Sequence, residues 1–497
     1  FIEKRHSMRS TVVAFLFLVA LAVVAPAVMA RQDENGYVVQ QLFVTHRHGA
    51  RFPVPAVNLS GVCPGGAANC GMLTSQGVVM LRHLGEYLRL TYNSTLQPYE
   101  RYDPNIIHSR STDVARTLQS GDALVLGLYR HLDGTPNQAF PAMFSEALDR
   151  DTELLVWDGW PALVMWSAAT QVPFFEAVNQ AIQNIMSADM MARIGAELGL
   201  LQECDPAQPG FNPFQCAIDA GDVYAFALTR GTAAQFPITA AAFPLLEACL
   251  ETYNAYAMGR FDEETNGGQF LKSVGSFGYD LMLDVFANID TPAWNSSAGL
   301  SGRRLTHYSG HDITVIPLAN TLGNLTLLNP KFGSALILEV WGPADDFGSP
   351  KIIVAKFGTP SQTPESNFEY TFEEFTLTCT SENGTTYRSS MGCPVEDLRR
   401  YVYSRAPQSP MGTCYASEAT LSALSCNSSM AAVNPSYCHY YRAMCVGACG
   451  TGYAMLPDFS CVAVDVSFTD GFLKTRQTNL QRPRQTRGRY ETLHKLR

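Results

Sequence analysis

The chain has 497 residues, 46% of them hydrophobic and 16% charged, which excludes a disordered or fibrous protein and leaves room for a large core and more than one domain. A net charge of −10 excludes the basic surface of a nucleic-acid binder. It does not exclude an anionic ligand, because a few clustered arginines set their own local field.

The N-terminal stretch reads as a targeting segment. Met8-Arg9 opens it, so residues 1–7 are expected to precede the start of translation. Thr11 to Ala30 is almost wholly apolar and ends in the small-residue site Val28-Met29-Ala30, which predicts a secretory signal over 1–30. Left uncleaved, its 20 apolar residues would suffice for a membrane anchor. Tyr37 to Val44 is apolar and β-branched and predicts a strand that runs on to His48. It opens into Arg47-His48-Gly49-Ala50-Arg51-Phe52-Pro53. Gly49 is expected to permit a turn that a side chain would block, and Pro53 to stiffen the exit. His48 then sits on a sharp turn between Arg47 and Arg51, and two guanidinium forks beside an imidazole suit a tetrahedral oxyanion such as phosphate.

Thr74 to Tyr92 predicts a helix with Thr74 as N-cap and Val78, Leu81, Leu84 and Leu88 at helical spacing. Asn105 to His108 predicts a short strand feeding Ser109-Arg110-Ser111-Thr112, and Asp113 to Arg130 a second amphipathic helix. This alternation implies a parallel sheet with crossover helices and its ligand at the carboxyl ends of the strands, which would bring Arg110 to the crevice of His48. Residues 131–300 show helical stretches such as Phe174 to Leu198 and Phe243 to Met258, no clear strand, and Trp157, Trp160 and Trp166 close together; they read as a mostly helical cap whose aromatics form its core. Arg303 to Tyr308 predicts a strand ending at Ser309-Gly310-His311-Asp312, then a helix over Ile313 to Leu322. Ala335 to Trp341 and Lys351 to Phe357 predict a closing hairpin.

Of 13 cysteines, eight lie between Cys379 and Cys461 and predict a disulfide module over 377–465. Upstream, Cys63 with Cys70 and Cys204 with Cys216 are candidate local loops that would leave Cys249 over, and the sequence alone does not settle the pairing. Six Asn-x-Ser/Thr sequons, at Asn58, Asn93, Asn295, Asn324, Asn383 and Asn427, agree with a secretory route. Residues 466–497 are basic, without apolar pattern, and read as a disordered tail.

The Arg-His-Gly-x-Arg-x-Pro stretch resembles the signature of the histidine acid phosphatases, a branch of the phosphoglycerate-mutase-like superfamily. Gly71 to Gly77 with Leu84 to Arg89, Ser109 to Thr117, and Tyr308-Ser309-Gly310-His311-Asp312 resemble that family's later segments, in order. Gly310 stands where the family often has alanine, a departure expected to be harmless. The resemblance implies a phosphoglycerate-mutase-like α/β core over 31–130 and 301–376 with a cap over 131–300.

Phosphoryl transfer needs a nucleophile, cations for the equatorial oxygens and an acid for the leaving group. His48 fits the first role, Arg47, Arg51, Arg110 and His311 the second, and Asp312 the third, and the resemblance implies the same roles. Asp312 could otherwise be a plain helix N-cap; its place after Tyr-Ser-Gly-His favours the acid. Arg116 and His46, near the motifs but without a family role, are read as structural or surface residues. A carboxylic acid that must stay protonated implies an acid optimum. An arginine-rich site would repel a cation, so no metal and no cofactor are expected. The expected partner is a small phosphomonoester or a phosphoprotein in the extracellular, cell-surface or endolysosomal space. The alternatives are a phytase-like enzyme and a non-catalytic surface ligand on the same scaffold.

Overall fold

In the computed structural model the residues described are 36–54, 63, 69–92, 102–104, 106–129, 141–258, 272–290, 294–295, 300–301, 303–344, 351–409, 412–416, 418–424, 426, 438, 441, 453–455 and 461–463. The expected signal segment and basic tail lie outside them. Among the described residues no helix is long and apolar enough to cross a membrane.

Strand β1 (Tyr37–Arg47) runs through the middle of the main sheet. Helix α1 (Ser75–Thr91) follows, begun by Thr74, whose hydroxyl accepts from the Gly77 amide at 3.2 Å. Its buried face is Met80, Leu81, Leu84 and Leu88, while the expected core residue Val78 is exposed. Next come β2 (Ile107–Thr112), α2 (Ala115–Leu128) and a short edge strand, β3 (Met143–Glu146). Among the described residues the long helices of the cap are α3 (Pro161–Ile185), α4 (Ala188–Leu198), α5 (Pro213–Thr229) and α6 (Pro237–Met258). The chain returns through α7 (Tyr279–Asp290), β4 (Leu305–Gly310) and α8 (Asp312–Thr321). Strands β5 (Ala335–Pro343), β6 (Ile352–Pro360), β7 (Tyr370–Phe375), β8 (Leu377–Thr380), β9 (Thr386–Ser389) and β10 (Cys393–Pro394) lead into α9 (Val395–Tyr403).

The sheet order is β10-β6-β5-β1-β4-β2-β3, with β7 also on β6. The sheet has the parallel core expected, extended by an antiparallel half that contains the expected closing hairpin. Strands β1, β4, β2 and β3 are mutually parallel, but β5 pairs antiparallel with β1, and β6 continues the antiparallel half. Strands β5 and β6 pair antiparallel from Ala335 opposite Gly358 to Trp341 opposite Ile352, as successive strands without a crossover helix do. Helices α1 and α2 cover one face, packed closely enough that a Cβ on Gly127 would lie 1.9 Å from the Arg82 carbonyl oxygen. Helices α7, α8 and α9 cover the other.

Three expected boundaries move. Strand β3 and helix α7, placed in the cap by sequence, belong to the sheet and its core, so the cap's own apolar cluster spans only Phe174 to Tyr253. Residues 377–403, expected in a separate cysteine module, are core: β10 pairs with β6, and Cys379, Cys393, Leu398 and Val402 join the cluster beneath α7. Farther on, Leu424, Cys426 and Cys438 pack against Met165 of α3. Disulfides join Cys63 to Cys70, Cys204 to Cys216, Cys379 to Cys393 and Cys426 to Cys438, and Cys249 is a buried free thiol. The cap aromatics are structural where described: Trp160 is buried edge-on against Phe277, and Trp166 packs on the same cluster. Trp157 lies outside the described side chains.

Candidate active site

The carboxyl ends of β1 and β4 are in register, Arg47 opposite Gly310, and the His48 amide donates to the Gly310 carbonyl at 2.9 Å. Two turns therefore leave the sheet side by side, one carrying His48 and the other His311 and Asp312. This is the crevice position expected of an α/β sheet. Gly49 is required here for a reason other than the turn. Its φ is not left-handed, but a Cβ on it would lie 2.3 Å from the Gly77 carbonyl oxygen. The loop is pressed against the first turn of α1, and only two glycines permit that approach.

His48 is 2% exposed. Its Nδ1 lies 2.9 Å from the Gly49 carbonyl oxygen, which can only accept, so Nδ1 carries the hydrogen and Nε2 keeps its lone pair. Burial, then the charges of Arg116, Arg47, Arg51 and His311, holds this imidazole well below the usual histidine range. The ring is therefore held neutral at mildly acid pH, with the Nε2 lone pair free.

Arg47 lies 3.0 Å from Asp312, donates to the Pro330 carbonyl at 2.6 Å and stacks over the Phe332 ring at 4.6 Å. Arg51 donates to Asp222 of α5 at 2.8 Å and lies 5.7 Å above the same ring. Asp222 also accepts the Val54 amide at 2.8 Å, so one cap carboxylate grips the loop twice.

Arg110 does not join them, which corrects the sequence expectation. Its guanidinium is bonded to Asp151 at 2.7 Å and to Glu153. The reason is strand alternation. Ser109 reaches His307 on the α2 face, whereas Arg110 sits opposite Tyr308, whose hydroxyl donates to Asp284 of α7 on the other face. Arg110 instead braces the loop whose Leu154 carbonyl accepts from Thr314 at the start of α8.

The third arginine is Arg116, to which the sequence reading gave no role. It stands on the first turn of α2, and its guanidinium lies 3.4 Å from His311 Nδ1. Burial, then Arg51, pushes it down to about 10. A signal was available: in such sheets the helix after a motif strand aims its N-terminal turn at the crevice.

His311 is within 3.0 Å of Thr112 Oγ1 through Nε2, and its ring sits 5.5 Å from that of His48, nearly perpendicular. Burial and Arg116 push it down to about 3 against the pull of Asp312. With Nδ1 facing a guanidinium donor, its hydrogen lies on Nε2 and goes to Thr112. As placed, His311 orients Arg116, and it becomes a fourth donor to an oxyanion only by exchanging one of these bonds.

Asp312 is the first residue of α8, not its cap. Oδ1 accepts the Ile313 amide at 2.9 Å, and the start of the helix is tied instead by Thr314 Oγ1, which accepts the His311 amide at 3.0 Å. A Cβ at 310 would lie 2.5 Å from that hydroxyl, so the glycine leaves Thr314 the room to make this bond. Burial pulls the Asp312 carboxyl up, but Arg47, His311, the Ile313 amide and Arg51 outweigh it and leave it below the usual carboxylate range. Asp312 is therefore ionised at mildly acid pH.

His46 is structural, as expected. Buried beneath the site, it bonds His307 at 2.7 Å, and its Nδ1 reaches the Arg47 carbonyl at 2.9 Å. Among the described residues no group of three or more His, Cys, Asp and Glu side chains could hold a metal ion.

No family model matches the chain. A lysosomal acid phosphatase of Xenopus laevis is 37% identical over 121 residues, which cover 23% of this chain and 26% of that protein. The match thus spans about a quarter of the relative's length. Among solved structures, a phytase from Citrobacter braakii superposes with a TM-score of 0.51 at 14% identity, covering 74% of this chain and 98% of that one. A phytase from Klebsiella sp. ASR1 gives 0.51 at 14% identity over 77% and 99%. A Hafnia alvei phytase in complex with tartrate gives 0.50 at 14% over 80% and 99%. The fold is the phytase-like histidine acid phosphatase fold, that of the family which the motifs resemble.

Proposed function

We propose that the chain is an acid phosphatase that hydrolyses phosphate monoesters through a phosphohistidine at His48. The observation that carries this reading is the 2.9 Å contact between His48 Nδ1 and the Gly49 carbonyl, which takes up Nδ1–H and leaves Nε2 with a lone pair beside Arg47, Arg51 and Arg116. In the reaction Nε2 attacks phosphorus as the bond to the alcohol oxygen breaks, and the arginines hold the equatorial oxygens. Water then attacks the phosphohistidine, and orthophosphate leaves with His48 restored.

Asp312 delivers the proton to the departing alcohol and takes one from the attacking water. Its depressed carboxyl implies where that proton originates. A phosphomonoester loses its second proton near pH 6, so at acid pH the ester arrives as a monoanion carrying its own proton. The charge it adds beside Asp312 raises the carboxyl toward protonation. Above that pH the complex is one proton short and turnover falls. Working in an acidic exported compartment agrees with the disulfides.

Rapid acid-free quench of the enzyme with 32P-labelled nitrophenyl phosphate at pH 5 tests this. The wild type yields an acid-labile, alkali-stable phosphoprotein at a rate that accounts for turnover, in EDTA as without it. His48→Ala yields none, with turnover lower by a factor on the order of 10⁵ or more. A His48→Ala enzyme that keeps substantial turnover, or activity that EDTA removes and a divalent metal restores, refutes the mechanism.

A further inference from the structure

Which alcohol the site accepts is written in the cleft between core and cap, and the inference rests on the phosphatase reading above. Beyond Arg47, Arg51 and Asp312 the cleft opens into a cavity of about 600 Å³, within the range of sites that enclose a whole organic ligand. Its far walls come from the cap. Helix α5 contributes Ile218 and Leu228, α6 contributes Phe243, Leu246 and Leu250, and Phe332 forms the base against both arginines.

The charges in this lining are as informative as the apolar area. Asp219, Asp222, Glu247 and Asp312 face three cations, Arg47, Arg51 and Lys331. Lys331 is bonded to Glu247, so its charge is matched within the wall. Beyond the phosphate-holding arginines the cavity therefore has no surplus of positive charge, and a second phosphate would enter an acidic, apolar space at a desolvation cost.

We infer that the cavity selects monoesters of extended apolar alcohols, medium-chain alkyl or aryl, and discriminates against polyphosphorylated polyols, although the fold is shared with phytases. The phosphate is held by the core while the alcohol is buried against α5 and α6. Residues of the cap thus set specificity without touching the reacting atoms.

The test is a homologous series of methyl, butyl, hexyl and octyl phosphate, with inositol hexakisphosphate beside it, assayed by phosphate release from the full chain at pH 5. Each added methylene that reaches the wall should raise kcat/KM about three- to fourfold, the equivalent of about 0.8 kcal/mol. Inositol hexakisphosphate should fall below hexyl phosphate by about a hundredfold or more. Leu250→Ser, at a half-buried position, should cut the octyl-to-methyl ratio of kcat/KM by about fivefold, as one lost apolar contact surface predicts. A flat series, or preference for inositol hexakisphosphate, overturns the substrate class and leaves the phosphatase reading standing. No hydrolysis of any ester, nitrophenyl phosphate included, overturns the phosphatase reading itself. The wild-type series decides between these outcomes even if the variant does not fold.

Discussion

The α/β core and the helical cap solve opposite problems. In the core, polar groups are buried on purpose. His46, His48, His307 and His311 are each at most 4% exposed, and each is held by ring-nitrogen bonds that decide where its hydrogen lies. The cap is an apolar bundle around Val178, Ile182, Met191, Ile194 and Leu246, stapled by Cys204–Cys216. Among the described residues the polar contacts between core and cap include Asp222 to Arg51 and to the Val54 amide, Glu247 to Lys331, and Asn254 to the Leu328 carbonyl at 2.7 Å. Strand ends thus define the chemistry, because a sheet holds turns to fractions of an ångström. A bundle packed by non-directional apolar contact is free to vary what it presents.

The comparison breaks most visibly at Asp312. If the core alone does chemistry, Asp312→Asn should lower kcat/KM for alkyl phosphates by ~10²–10⁴-fold and slow phosphorylation by nitrophenyl phosphate much less, since that leaving group needs little proton help. Equal slowing of both in rapid quench would return Asp312 to a purely structural role. With its carboxyl already depressed, the alkaline limb of wild-type kcat/KM should follow the ester's own second ionisation when the ester is changed.

Next in size is the division between two core arginines. Arg116→Lys should cost on the order of 10²-fold in kcat/KM with little change in Tm. Arg110→Gln should do the reverse: removing one partner from the buried Asp151 pair costs about 3 kcal/mol of stability, while the folded fraction keeps nearly full kcat/KM. Thermal melts beside kinetics on both variants check this, and a kinetic loss confined to Arg110→Gln would restore the sequence assignment.

Asp222→Asn sharpens the boundary itself. Asparagine can still accept from Arg51 and Val54, but the competing negative charge is gone, so inorganic phosphate should inhibit about fivefold more tightly. Unchanged inhibition constants would mean that the cap does not compete for Arg51.

The last effect is on pH-dependent stability. Burial lowers His46 to about 4 and holds His307 well below the usual range. A histidine depressed in the folded state binds its proton preferentially when unfolded. Stability is therefore complete above pH 6.5 and is lost as pH falls toward the folded value, by about 1.4 kcal/mol per pH unit for each such group. Replacing His307 by Gln, which keeps a polar side chain and does not titrate, should make the denaturation midpoint less steep in pH between 6.5 and 4.5. An unaltered slope would show that the pair is not the source.

Much of this was readable from local pattern. The strand before His48, the Thr74 cap and the helices after both motifs follow from side-chain period and capping chemistry, which act within a few residues. The pairings Cys63–Cys70 and Cys204–Cys216 were legible because short loops leave few choices. The cap edges and the place of residues 377–403 were not, because an apolar hairpin and an amphipathic helix look alike whether they close the main core or a satellite of it.

By itself, then, the sequence determined which residue types could do phosphoryl chemistry and that His48, Arg47, Arg51, His311 and Asp312 stand at strand ends. Only the tertiary structure decided which arginine completes the set. Arg110 and Arg116 are six positions apart, and the choice depends on which sheet face a side chain leaves from and which carboxylates wait there. Asp151 and Glu153 claim the first, and the crevice receives the second. Those partners come from distant segments, and no period in a single stretch of chain encodes them.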